Sequence, residues 1–148
     1  MNEDLYFLGI KGIIRNSDGK VLLLKVNTLK FGRTDTLEYW DIPGGRVQIG
    51  DSIEETLRRE IQEETGIKKI KNIRPFLMVL SKIRIPKDGK DYGLILSTYT
   101  CDIEEGEKIT LSDEHVDYDW FDLDKASELL SVKYPKEFTE KIRELSFT

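Results

Sequence analysis

The stretch from residue 52 to residue 66, SIEETLRREIQEETG, constrains this chain more than any other. Ser52 followed three residues later by Glu55 is a capping box, in which the serine hydroxyl accepts from the Glu55 backbone N–H. Gly66 suits the left-handed conformation that closes a helix. Between these stops, Ile53, Leu57 and Ile61 recur at four-residue steps and define the inward stripe, while Glu55, Arg58 and Gln62 point the other way. Glu64, seven residues after Leu57, falls on the stripe itself, with Glu60 beside it and Glu63 a little further round. A fold built on this helix must hold carboxylates at the edge of its core.

Glu54 and Glu55 read as an ordinary solvated face. Carboxylates on the inner edge are different, because buried charge is strongly disfavoured unless something positive compensates it. Arg59 can pair with Glu63 at i,i+4, but one guanidinium does not balance three carboxylates. A hard divalent cation does. Mg²⁺ takes oxygen ligands, keeps several waters and bridges protein carboxylates to substrate phosphates. The pattern therefore predicts a metal site on the inner edge of this helix.

The 148 residues predict a single domain spanning 1–148. With 39% hydrophobic and 34% charged residues the chain is rich enough in apolar side chains to fold as a soluble globule. A net charge of −5 argues against a general binder of nucleic acid or anionic membrane. That charge is unevenly laid out: residues 51–64 carry six acids against two bases, and residues 102–124 ten acids against one. The lone cysteine, Cys101, excludes an intrachain disulfide and a cysteine-built zinc site, and fits a reducing cytoplasm. The opening MNEDLYFLGI lacks the basic flank of a signal peptide. No apolar run approaches the roughly 20 residues that span a bilayer.

Tyr6 to Arg15 and Val21 to Val26 read as strands joined by the turn Asn16-Ser17-Asp18-Gly19. Residues 27–38 read as a loop, and Glu38 to Ile42 as a short strand stopped by Pro43-Gly44-Gly45. Ile73 to Ile85 and Tyr92 to Ile103 are β-rich and flank a turn at residues 86–90. A last short strand around Tyr118, Trp120 and Leu123 precedes helical stretches at residues 125–130 and 135–145. The expected class is α/β, α+β in stricter usage: a mixed sheet flanked by helices.

Residues 45–67, GRVQIGDSIEETLRREIQEETGI, also resemble the Nudix box, G-x5-E-x7-R-E-U-x-E-E-x-G-U with U aliphatic. Gly45, Arg59, Glu60, Ile61, Glu63, Glu64, Gly66 and Ile67 occupy its specified positions, and Asp51 stands where the family has Glu. The resemblance implies a hydrolase that cleaves a pyrophosphate bond in a nucleoside diphosphate linked to another group, with Mg²⁺ or Mn²⁺ as cofactor. It implies metal ligation by Glu60, Glu63 and Glu64, with the Gly44 carbonyl as a further ligand, and Arg59 orienting the acids. Glu114, in the run Leu111-Ser112-Asp113-Glu114-His115, resembles the additional family glutamate on a later loop. The general base is then Glu114 or a box glutamate.

Lone His115 reads as structural. Trp40 and Trp120 read first as core residues, with stacking on a base as the alternative. Lys25, Lys30 and Arg33 are candidates to reach a phosphate. Among substrates, a nucleoside triphosphate comes first, as for MutT-like members, and ADP-ribose or another ADP-sugar second. A module that binds a nucleotide without cleaving it is a further reading, disfavoured by the intact acids. The resemblance implies a small-molecule nucleotide partner, no nucleic acid or membrane, and a homodimer as one oligomeric state.

Overall fold

The computed structural model describes residues 2–28 and 38–145. Among them the chain runs β1 (Tyr6–Arg15), β2 (Val21–Val26), β3 (Trp40–Asp41), β4 (Gly44–Arg46), α1 (Ile53–Thr65), β5 (Ile70–Leu80), β6 (Ile85–Lys87), β7 (Lys90–Ile103), β8 (His115–Phe121), α2 (Leu123–Leu130) and α3 (Lys136–Arg143). The strands make one mixed sheet in the order β3-β2-β1-β7-β5, with β4 added to β1, β6 to β7 and β8 to β2. β1 is its hub. It runs parallel to β7 from Tyr6 opposite Gly93 to Arg15 opposite Asp102. Its other edge takes β4 antiparallel at residues 9–11 and meets β2 at Arg15 opposite Val21. β4 thus occupies the length of β1 that β2 leaves, and this brings the segment before α1 into the centre of the sheet.

Both faces of the sheet are covered. Ile10 and Ile14 of β1, Leu22 and Leu24 of β2 and Cys101 of β7 pack under Leu57 and Ile61 of α1. Ile13, Val21, Leu23, Leu94 and Leu96 face the other way, onto Ala126 and Leu130 of α2 and Phe138 and Ile142 of α3. Burial on two faces is why β2 reads as a continuous VLLL run rather than an alternation. Among the described residues no helix is long and apolar enough to cross a membrane.

The α1 cap forms as its pattern dictates: Ser52 Oγ accepts from Glu55 N at 3.1 Å, and Gly66 closes the helix at φ 76°. Leu57 and Ile61 are fully buried, but Ile53 is 43% exposed, because the first turn overhangs the sheet. Pro43-Gly44-Gly45 does not end strand structure; only Trp40–Asp41 pairs before it, and Gly44–Arg46 resumes as β4. The strand expected at Ile73 to Ile85 starts at Ile70, stops at Leu80, and resumes as β6 in a tight hairpin with β7. That hairpin turns on Asp88 and Gly89, both left-handed, with Lys87 opposite Lys90.

The helical layer is pinned to the sheet by one carboxylate. Asp41 of β3 accepts from Lys133 Nζ at 2.5 Å, Lys11 Nζ at 3.1 Å and Tyr134 OH at 2.7 Å, all buried. Burial works against its charge, but the two ammonium groups hold the carboxyl well below the ordinary carboxylate range. Two lysines share that one acid unequally: burial pushes Lys133 down to about 8, while Asp41 and Glu64 lift Lys11 above its usual value despite burial. Replacing Asp41 strands two buried cations. Asp41→Ala is expected to cost about 3–5 kcal/mol in urea denaturation, and a loss under about 1 kcal/mol would show that this ion cluster does not pin the helices.

Candidate active site

Leu57 and Ile61 anchor α1 to the sheet, and that anchoring fixes where its acids lie. Glu64 is only 5% exposed, Glu60 is partly buried, and the Glu63 side chain is 60% exposed. Glu64 reaches β4, where its Oε2 accepts from Gly44 N at 3.0 Å. The glycines make this approach possible. A Cβ on Gly44 would collide with the Ile10 carbonyl, and one on Gly45 would sit 2.6 Å from both Glu60 carboxylate oxygens. The Gly12 N–H donates to the Pro43 carbonyl at 2.8 Å and ties this turn to β1.

Arg59 organises the outer acids. Its guanidinium pairs with Asp51, with Glu60 at 3.4 Å and with Glu63 at 3.8 Å. Asp51, the single departure from the box pattern, thus retains an ion pair with the arginine.

The second acidic segment is stapled to the end of α1. Thr110 N donates to Thr65 O at 2.8 Å and Ser112 N to Glu64 O at 3.4 Å, while Asn27 holds the Asp113 and Glu114 carbonyls at 2.9 and 2.8 Å. As a result Glu64, Glu114 and His115 each bring a ligand atom within 4.8 Å of the others. His115 was expected to be structural; it instead joins this group. Its Nδ1 is buried without a hydrogen-bond partner among the described residues, and burial, with Lys11 adding to it, pushes the imidazole down to about 4, so the ring is neutral.

Burial raises Glu60 above its ordinary value and pushes Glu64 up to about 8, against the opposing pull of Lys11 and the Gly44 N–H. Crowded carboxylates that resist ionisation, beside a neutral imidazole with an unused nitrogen, fit a hard divalent cation, whose charge would offset the desolvation that holds them up.

Glu60, Glu64 and Glu114 line a cleft of about 430 Å³ together with Phe7, Gly44 to Gln48 and Lys87. A side pocket of about 200 Å³ shares Gly44, Glu64 and Glu114 with it and continues to Lys11, Tyr39, Asp41 and Lys133. A larger hollow of about 560 Å³ lies elsewhere, beside the β1–β2 turn; its Arg15 and Asp102 pair with each other at 3.0 Å, and Glu64, Glu114 and His115 are not in it. Lys25 and Trp40 face each other across β2 and β3 and do not line the cleft. Lys25 pairs with Glu38 at 2.7 Å, and Trp40 packs edge-on against Phe121. Lys30 and Arg33 lie outside the described residues. The residues that sequence reasoning passed over are Lys11, Asp41 and Lys133. A lysine inside the apolar run FLGIKGIIR is as anomalous as a glutamate on an apolar stripe, and that was the signal available.

A family model described as the NUDIX domain matches residues 5–142. An ADP-ribose pyrophosphatase of Methanocaldococcus jannaschii is 32% identical over 82% of this chain and 65% of its own. A bis(5'-nucleosyl)-tetraphosphatase of Rattus norvegicus is 34% identical over 70% of this chain and 69% of its own. The chain spans 36 to 65% of the length of the Bacillus subtilis, Methanocaldococcus and Salmonella relatives it matches. Among solved structures, the MutT protein from Methanosarcina mazei Go1 superposes with a TM-score of 0.65 at 26% identity, over 97% of this chain and 95% of that one. The mixed sheet with α1 on one face and α2 and α3 on the other is the fold of the solved Nudix structures, and the curated relatives are named as diphosphatases, pyrophosphatases and nucleoside triphosphatases. With Glu60 and Glu64 of the box brought to one cleft and the family model matching nearly end to end, this chain belongs to the Nudix family.

Proposed function

We propose that the chain, residues 1–148 acting as one domain, is a Mg²⁺-dependent pyrophosphohydrolase whose first substrate class is the nucleoside triphosphates. The observation that carries this is the convergence of Glu60, Glu64 and Glu114 on one cleft that a phosphate chain can enter. A Salmonella relative named as a nucleoside triphosphatase, 35% identical over 55% of this chain, supports a triphosphate. The Methanocaldococcus relative favours ADP-ribose as the second reading. The binding-only reading is disfavoured by the retention of Glu60, Glu63 and Glu64.

Glu60, Glu63, Glu64 and Glu114 would hold Mg²⁺ or Mn²⁺, with the Gly44 carbonyl and His115 beside them; the ion would neutralise phosphoryl charge and acidify a bound water. Arg59 keeps Asp51, Glu60 and Glu63 in fixed rotamers, a positioning task. Gly44 N–H fixes the Glu64 carboxylate, and the absent side chain of Gly45 leaves Glu60 its place. Water adds to a phosphorus, its proton passes to a carboxylate of the cluster, and the bond to the leaving phosphate oxygen breaks. Glu114 on its tethered loop and the box glutamates are the candidate bases. The side pocket at Lys11, Asp41 and Lys133 would take the nucleoside end, whose specificity then rests on buried donors. We place the enzyme in the cytoplasm, with a homodimer as one state in which it works.

Phosphate release from a panel of nucleoside triphosphates, ADP-ribose, nucleotide sugars and dinucleoside polyphosphates, with and without Mg²⁺, tests this. Turnover is expected with metal only, and no release from any member would overturn the hydrolase reading. Glu64→Gln and Glu63→Gln are expected to lower kcat by about 10²-fold or more while leaving the far-ultraviolet circular dichroism spectrum unchanged. Full activity in both would remove them from the metal site. Gly45→Ala, which forces Glu60 to move, is expected to lower kcat by about 10-fold to 10²-fold, since ångström-scale misplacement costs that much; wild-type kcat would show that Glu60 need not stay in place.

A further inference from the structure

The cleft holds a second group that the hydrolytic cluster does not use. Among its lining residues are two cations, Arg46 on β4 and Lys87 on the β6–β7 hairpin. Both lie over the ring of Phe7, the Arg46 guanidinium carbon 4.5 Å and the Lys87 ammonium 5.4 Å from its centroid. Phe7 is in turn braced by Tyr92, 4.4 Å away. Neither cation is ion-paired among the described residues, although Lys25, Arg15, Arg58, Arg59 and Arg84 all are. A neutral aromatic face orients a cation without occupying its N–H donors, whereas a carboxylate would consume them. The pair is therefore held in position, solvent-facing, with its donors available to an anion.

The local structure serves the same end. The two-residue turn at Asp88 and Gly89 is closed tightly, so Lys87 is fixed by pairing with Lys90 rather than carried on a long loop. Arg46 is the last residue of β4, opposite Gly9 of β1, two positions along from Phe7. Phe7 thus places a cation from each of two separate strands at the same cleft that the carboxylates enter from α1. Resting on the reading that a phosphate chain occupies this cleft, the two clusters divide it: the carboxylates and their metal serve the pyrophosphate that reacts, and the cations serve what extends beyond it.

We propose that Arg46 and Lys87, seated on Phe7, form a clamp for the additional phosphoryl groups of a polyphosphate, so that the cleft selects ligands with three or more phosphates over those with two. The geometry assigns Lys87 to substrate selection, a task for which its hairpin position gives no other structural reason, since it pairs with no acid and is exposed.

Calorimetric titration with inorganic tripolyphosphate and with inorganic pyrophosphate, each in excess Mg²⁺, tests this directly. The wild-type protein is expected to bind tripolyphosphate more tightly. Lys87→Gln is expected to weaken tripolyphosphate binding about 10-fold and pyrophosphate binding by less than about 2-fold, as for loss of one charge-assisted contact. Lys87→Arg should restore most of the loss, and Lys90→Gln, the same charge change across the hairpin and away from the cleft, should have no effect. Unchanged tripolyphosphate affinity in Lys87→Gln, equal losses for both anions, the same loss in Lys90→Gln, or no preference in the wild type would each overturn the clamp. These titrations require no turnover. Selective binding without hydrolysis of any nucleotide leaves the clamp standing and removes the hydrolase reading, whereas hydrolysis with no Lys87 dependence does the reverse.

Discussion

Everything at the candidate site depends on acids of α1 meeting glycine backbone in β4. The approach of Glu64 to the Gly44 N–H and of Glu60 to Gly45 brings a helix carboxylate pair against a strand with no side chain to separate them. That contact needs β4 in the middle of the sheet, which in turn needs β2 to diverge from β1 after their turn. It also needs Leu57 and Ile61 to set the depth of α1, and the staples from Thr110 and Ser112 to bring Glu114 alongside. Sheet topology, helix packing and loop anchoring thus converge on the position of a few oxygen atoms.

The polar interior extends past those oxygens. Asp41 joins β3 to the segment between α2 and α3, and its two lysines line the same side pocket as Glu64. Lys11 is shared electrostatically between Asp41 and Glu64. The layer of α2 and α3 and the face that carries Glu64 are therefore coupled through one ammonium group. A change in charge at Glu64, such as binding of a cation, alters what Lys11 owes to Asp41.

The helix and its acids were legible because their signals are local. A capping serine, a closing glycine and a four-residue apolar step lie within one short segment, and the box spacing is a set of offsets along it. Ile53 defeated the same periodicity because the stripe reports which side faces inward and not where the sheet beneath ends. β4 was missed because Pro-Gly-Gly is a strong local stop, whereas pairing with β1 is a long-range fact that overrides it. His115 was read as structural and Lys133 was passed over for a related reason: their neighbours are brought together by loop staples and by α2–α3 docking, which leave no periodic trace. Lys25 and Trp40 sit together as paired strand neighbours, and Lys25 meets an acid, Glu38, that the sequence does not mark as its partner.

β1 leaves the ribosome well before β7, yet its longest partnership is with residues 93–102. A parallel pairing of such separation closes slowly, because loop-closure entropy is lost before any contact is gained. Until β7 emerges, β1 has only its short contacts with β2 and β4. The interval of synthesis between β1 and β7 is a window in which the β7-facing edge of β1 stands unpaired, and the chain's exposure to wrong partners is set by the order in which its strands are made.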